Sequence, residues 1–322
     1  MSTTVPSSYR AFLYEKYGPI QDSLKLTTVP TEPLPAITAA LNPVDFKIAE
    51  VFGSYLTGGE PCAENPYRVG FDAAGVIVEV GKVAGNSYRV GDEVFVMTPF
   101  TEWGTLAEYV SVEAQYVAPK PKSVDFDHAA GVPLATLTGY QGLTEQAELQ
   151  AGQKILILGG TTSIGLFAVQ YAKSIGAYVI ATTSIKNVEL VRSLGADRVI
   201  DYTSEKWGDI LEPHSLDVVL DCSVEPNAWD ESAQLVLKRD TGRFATLHIN
   251  RNPSASRFGA THNNVFVRPH GEHLAKLSEL IDNKTIKTFV DSVYPFEQAA
   301  AAFNKLKAGR AVGKIIVKVV EN

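Results

Sequence analysis

The residues best suited by type and spacing to do chemistry are Leu158-Gly159-Gly160-Thr161-Thr162-Ser163-Ile164-Gly165. They follow the apolar run Ile155 to Leu158 and precede Leu166, Ala168, Val169 and Ala172, whose spacing is helical. A turn of this composition between a buried strand and a helix is the context a dinucleotide requires. Gly159 permits the tight bend, while Gly160 and the small Thr161, Thr162 and Ser163 let backbone N–H groups approach a pyrophosphate. Gly165 lets the helix pack closely on the strand. The helix N-terminus, around Ile164, adds unpaired N–H donors and a partial positive charge. Ser163 stands where the middle glycine of the usual fingerprint would be, and a merely structural strand–helix turn is the competing reading.

Cofactor choice is argued from the end of the next strand, Ala181-Thr182-Thr183-Ser184-Ile185-Lys186-Asn187. NAD-specific sites usually place a carboxylate there for the ribose 2′-hydroxyl. This stretch has hydroxyls and one cation and no acid, so Ser184 and Lys186 can bind a 2′-phosphate, Thr183 is a further candidate contact, and NADPH is the expected cofactor. An ordinary exposed lysine is the alternative for Lys186. Cys222, after Asp221 at a strand end, reads as a small buried apolar residue rather than a nucleophile.

The elements that must position these residues follow from texture along the 322-residue chain. Up to about Val117 the segments are short, β-branched and broken by Gly and Pro, which predicts an antiparallel barrel-like domain. Beyond Ala129, helix-length patterns alternate with apolar strands, which predicts a parallel sheet covered on both faces. Val290 to Val293 and Lys314 to Val319 read again as strands of the first domain. The expected fold class is α/β, with a β-rich domain over residues 1–130 and 285–322 and a doubly wound domain over 131–284.

Composition narrows the function. A net charge of −7 argues against nucleic acid as a partner. The longest apolar runs are strand-sized, well short of the roughly 20 residues a membrane-spanning helix needs. Met1 to Pro6 has no signal-peptide core. Two cysteines, Cys62 and Cys222, make neither a disulfide framework nor a metal site, and a reducing compartment, the cytoplasm, is expected. The six histidines show no ligand pairing; His270 and His273 are three apart at what reads as a solvated helix start.

A wider set of motifs occurs in order: Leu41-Asn42-Pro43-Val44-Asp45-Phe46-Lys47, Gly70-Phe71-Asp72-Ala73-Ala74-Gly75, Gly91-Asp92-Glu93-Val94, Val132-Pro133-Leu134-Ala135-Thr136-Leu137-Thr138, the glycine turn, Asp201-Tyr202 and Gly313-Lys314-Ile315-Ile316-Val317. Together they resemble the zinc-independent quinone oxidoreductases of the medium-chain dehydrogenase/reductase superfamily, near the alkenal reductases and zeta-crystallin-like enzymes. The resemblance implies a GroES-like substrate domain, a Rossmann cofactor domain, NADPH, and a homodimer or dimer of dimers. It places Thr138 near the nicotinamide ribose, and Ser184, Lys186 and Tyr202 around the 2′-phosphate, with Asn187 as a substitute for Lys186. It places Asn42 and Tyr55 in the substrate cleft, and Val267 with Gly313 and Lys314 against the cofactor.

Zinc-dependent relatives need Cys, His and Glu at the cleft. Asn42 has no Cys nearby and Gly70-Phe71-Asp72 lacks His, so no metal is expected. The implied reaction is hydride transfer to a quinone or an α,β-unsaturated carbonyl, with the Asn42 amide and Tyr55 hydroxyl as contacts for the developing oxyanion. For Tyr55 the alternative is a packing aromatic in a Gly-rich loop. Rival readings are an enoyl-thioester reductase and a non-catalytic NADPH-binding protein. One departure from the family pattern is the short segment between Pro35 and Leu41, where a strand beside Asn42 is expected to be missing or replaced by a shorter loop.

Overall fold

The computed structural model describes residues 6–30, 36–81, 87–101, 104–248 and 253–320. Met1 to Val5, read above for a targeting segment, and Pro35 lie outside them. The chain forms two compact units: one of Met1–Leu134, Arg268–Lys284 and Thr288–Asn322, the other of Ala135–Val267 and Thr285–Lys287.

The first unit begins with β1 (Ser8–Tyr14), β2 (Lys25–Pro30), β3 (Ala36–Leu41), β4 (Tyr67–Arg68), β5 (Asp72–Val76), β6 (Glu93–Met97) and β7 (Val117–Pro119). The second holds β8 (Lys154–Leu158), β9 (Tyr178–Thr183), β10 (Arg198–Asp201), β11 (Val218–Asp221), β12 (Arg243–Thr246) and β13 (Thr261–Asn264). The first unit closes with β14 (Val290–Pro295) and β15 (Lys314–Lys318). Five helices matter below: α1 (Pro43–Lys47), α2 (Pro133–Gln141), α3 (Ser163–Ser174), α4 (Gly271–Asp282) and α5 (Ala299–Lys307).

In the second unit all strands are parallel in the order β10-β9-β8-β11-β12-β13. That is the doubly wound order whose ligand crevice lies at the carboxyl end of the first strand. Ile155, Leu156, Ile157 and Leu158 are all fully buried, as a central strand covered on both faces must be. Its core also includes Ile180, Trp207, Trp229 and Phe244.

In the first unit the larger sheet runs β14-β15-β3-β5-β6-β7, parallel only between β14 and β15. Helix α5 buries Ala302 and Phe303 in a core with Phe12, Tyr14, Leu41, Phe296 and Val317. Each large aromatic buried there stabilises the unit by roughly 1.5–3 kcal/mol. The expectation of a missing strand before Leu41 is corrected: Ala36–Leu41 is β3, laddered to β15 on one side and β5 on the other. Alanine is a weak strand former in isolation, but pairing on both edges and the close packing of Ala39 and Ala40 override propensity.

Helix α4, expected within residues 131–284 of the doubly wound domain, falls in the first unit. It packs on β7 so closely that a Cβ at Gly271 would lie 2.5 Å from the Val117 carbonyl oxygen. The His270 side chain caps it by accepting the His273 amide at 3.3 Å, and the two rings stack at 3.9 Å. Among the described residues, no helix is long and apolar enough to cross a membrane.

Candidate functional site

At the end of β8 the chain bends through Gly159, whose φ of 79° is open to glycine at little cost. Thr162 then caps α3: its Oγ1 accepts the Gly165 amide at 3.0 Å and donates to the Gly159 carbonyl at 2.9 Å. Thr182 of β9 bolts the turn from the side. Its hydroxyl accepts the Gly159 amide at 2.9 Å and its carbonyl accepts the Gly160 amide at 2.8 Å. The Gly160 N–H, expected to face a pyrophosphate, is therefore spent within the sheet. Gly160 instead lets the turn lie against β9, where its Cβ would meet Ala181 and Thr182 at 3.2 Å. Among the described residues, the amides of Thr161 and Ile164 take no acceptor, so they are the donors left to meet an anion.

The predicted ribose contacts come together at the ends of β9 and β10. Asp201 pairs with Thr183 in register, and the Tyr202 amide donates to the Thr183 carbonyl at 3.1 Å. Asn187 folds back, its amide on the Ser184 carbonyl at 2.9 Å and its side chain on the Ser184 hydroxyl at 3.4 Å. Lys186 is exposed and, among the described residues, has no ion-pair partner. Sequence reasoning missed an acid here, because Asp201 sits one strand over. Its carboxylate accepts the Thr203 amide and hydroxyl at 3.0 and 2.7 Å and also holds the Ile185 amide, which keeps it below the usual carboxylate range. Those oxygens are committed to the loop itself.

Thr138 is buried on α2, and Val267 closes the second unit half-buried. Cys222 is buried, which pushes its thiol well up with Asp221 adding to the effect, so it is no nucleophile.

The first unit brings two further predicted residues together, Asn42 and Lys314. Asn42 precedes α1 with its side chain turned inward: Nδ2 donates to Asp72 at 2.8 Å and Oδ1 accepts from the Lys314 ammonium. Lys314 also pairs with Asp72 at 3.1 Å. Asp72 takes the Leu134 amide of α2 at 2.6 Å on its other oxygen. Burial pushes the Asp72 carboxyl up, with Lys314 and the donated hydrogen bonds opposing. Every one of these neighbours is a donor, so the ionised form is the one the site solvates. Asp45 accepts the Asn42 amide at 2.6 Å, and burial raises its carboxyl to about 8. Asn42, Asp45, Asp72 and Lys314 are each at most 4% exposed.

Tyr55, in the short helical turn Ser54–Thr57, is 53% exposed. In the same Gly-rich loop Tyr17 donates to the Gly59 carbonyl at 2.7 Å, bonds the Thr57 hydroxyl and lays its ring 3.5 Å from where a Gly53 Cβ would be. Among the described residues, no group of three or more His, Cys, Asp or Glu side chains is placed to hold a metal ion. A divalent ion does not fit the Asn42–Asp72 position, since the Lys314 ammonium already neutralises Asp72 there.

A β-rich unit joined to a parallel sheet with a dinucleotide turn defines a two-domain, nicotinamide-dependent oxidoreductase. Profiles described as alcohol dehydrogenase GroES-like domain and zinc-binding dehydrogenase match residues 36–122 and 194–317. The 2-methylene-furan-3-one reductase of Solanum lycopersicum is 36% identical, over 98% of this chain and 80% of that protein. The NADPH-dependent alkenal/one oxidoreductase, chloroplastic, of Arabidopsis thaliana is 35% identical, over 98% and 80%. The structure of the quinone oxidoreductase from Coxiella burnetii superposes with a TM-score of 0.82 at 26% identity, over 97% of this chain and 100% of that one. The chain belongs to the medium-chain dehydrogenase/reductase superfamily, beside its quinone and alkenal oxidoreductases.

Proposed function

We propose that this enzyme reduces quinones or other α,β-unsaturated carbonyl compounds by direct hydride transfer from NADPH, without zinc. The observation that carries the cofactor half is the grouping of Ser184, Asn187 and Tyr202 at adjoining strand ends beside an exposed Lys186, which has no ion-pair partner among the described residues. Two hydroxyls, an amide and a cation suit a 2′-phosphate dianion. The names of the relatives support the substrate class.

When bound, the nicotinamide supplies the hydride. The amides of Thr161 and Ile164, at the positive end of α3, would hold its pyrophosphate. Tyr55 and Asn42 donate hydrogen bonds to the carbonyl oxygen as negative charge develops on it. Thr138, Val267, Gly313 and Lys314 belong to the same reading as cofactor neighbours. A homodimer completes it, for which the outer edge of β13, paired with no further strand among the described residues, offers ladder donors and acceptors.

Consumption of NADPH with a panel of ortho-quinones, para-quinones, enals and enoyl thioesters tests the reading; binding of NADPH without turnover of any of them would sink it. Lys186→Ala is expected to lower kcat/KM for NADPH by about 10- to 100-fold, the worth of one charge-assisted hydrogen bond, and to leave NADH nearly unchanged. Equal efficiency of the unmodified enzyme with NADH would refute the 2′-phosphate assignment. Tyr55→Phe is expected to reduce turnover less than about tenfold, because Asn42 and solvent remain as donors. A loss of several orders of magnitude would make Tyr55 an essential acid instead.

A further inference from the structure

A carboxamide can present either its oxygen or its NH2 to a ligand, because a half-turn of the group exchanges them. In Asn42 that freedom is removed by two neighbours of opposite hydrogen-bonding character. Lys314 is donor-only and therefore claims Oδ1; Asp72, as carboxylate, is acceptor-only and claims one N–H of Nδ2. The flipped amide would set NH2 against the ammonium and oxygen against the carboxylate. In a pocket this buried, both contacts would be repulsive and unscreened. What remains is one Nδ2 hydrogen, whose acceptor among the described residues is the Ala40 carbonyl at 3.5 Å.

Asp72 is itself immobilised. It lies on β5, paired with both β3 and β6, and its other oxygen takes the Leu134 amide at the start of α2, where a negative charge is favoured. Its backbone carbonyl accepts the Thr105 hydroxyl at 2.8 Å. We propose that Asp72, with Lys314, is a positioning residue that locks the Asn42 amide in the donor orientation, leaving one N–H for the carbonyl oxygen that gains charge. This rests on the hydride-transfer reading above. It adds a residue that the sequence motifs marked only as a place where histidine is lacking.

Asp72→Asn tests it. Asparagine has one acceptor oxygen for three converging donors, so the Asn42 Nδ2 loses its charged acceptor and Lys314 alone is left to hold the amide. With selective 15N labelling of asparagine, the unmodified protein is expected to show an Asn42 side-chain NH2 pair in slow exchange, and D72N to lose it. With the best electrophile of the panel, kcat per correctly folded site is expected to fall about a hundredfold in D72N, the worth of one oriented oxyanion donor. KM for NADPH is expected to stay within about threefold, and Asp72→Glu to recover at least a tenth of the lost rate. An Asn42 resonance pair unchanged in D72N, or a kcat per folded site within about threefold of the unmodified enzyme, overturns the proposal. Should D72N not fold, D72N/K314M leaves neither charge buried alone and carries the same two measurements. Failure of the unmodified enzyme on every electrophile would refute the hydride-transfer reading, and the Asn42 resonances would still decide the orientation.

Discussion

Gly165→Ala is expected to abolish cofactor binding, raising the Kd for NADPH at least about a hundredfold, because the added methyl has no room to form. Its Cβ would sit 2.1 Å from the Gly159 carbonyl oxygen and 2.9 Å from both the Gly159 carbonyl carbon and Gly160 Cα. All three are backbone atoms of the turn itself, so no side chain can rotate away to relieve the contact. Relief requires the turn to unwind, and with it the Thr162 cap and the two bonds to Thr182. The turn that carries the Thr161 and Ile164 amides is then distorted. Overpacking of this kind also lowers stability, by roughly 1–3 kcal/mol. Gly160→Ala is the built-in comparison, since its Cβ would meet its neighbours at 3.2–3.3 Å and a few tenths of an ångström suffice. Titration of nicotinamide fluorescence measures both. A G165A protein that binds NADPH within about threefold of the unmodified one would show that this turn does not hold the pyrophosphate.

The parts of the molecule that local pattern determines were legible in the sequence. Strand β8, the turn and α3 are contiguous, and uniformly apolar strands alternating with helices have few outcomes other than a covered parallel sheet. Strand β3 was not legible, because Ala36–Leu41 has little strand propensity of its own and is held by partners on both sides. Thr182 was invisible as a support of the turn, since what matters is its register opposite Gly159 and Gly160. The commitment of the Asn42 amide was furthest out of reach. Its partners are 30 and 272 positions away, and no periodicity links residues that only the sheet order brings together. A motif can name Asn42 and Lys314 separately, but only the folded chain shows that one dictates which atom the other presents.

Asp45→Asn is expected to remove the Asp45 contribution to the pH dependence of stability, a loss as pH rises from about 4 to about 8. Two buried carboxyls, Asp45 and Asp72, share the field of one ammonium, Lys314. Asp72 holds the ammonium and two N–H donors. Asp45 has the Asn42 amide on one oxygen and, among the described residues, nothing on the other. Facing Asp45 are Lys314, Asp72 and the hydroxyls of Tyr14 and Tyr67, whose own ionisation burial suppresses. Desolvation therefore wins at Asp45, and it stays protonated until about pH 8, whereas in the unfolded chain it ionises near 3.8. Within that window the folded state holds a proton that the unfolded state has released. Stability is thus lost as pH rises, by up to about 1.4 kcal/mol per pH unit, and the loss ends above the folded value. Asparagine keeps an acceptor for the Asn42 amide and has no proton to lose. Urea unfolding at a series of pH values is expected to give similar stabilities for the two proteins near pH 4 and a D45N protein more stable by several kcal/mol near pH 8. Parallel curves over this range would mean that Asp45 is ionised in the fold, and that the Lys314 field rather than desolvation governs the pair.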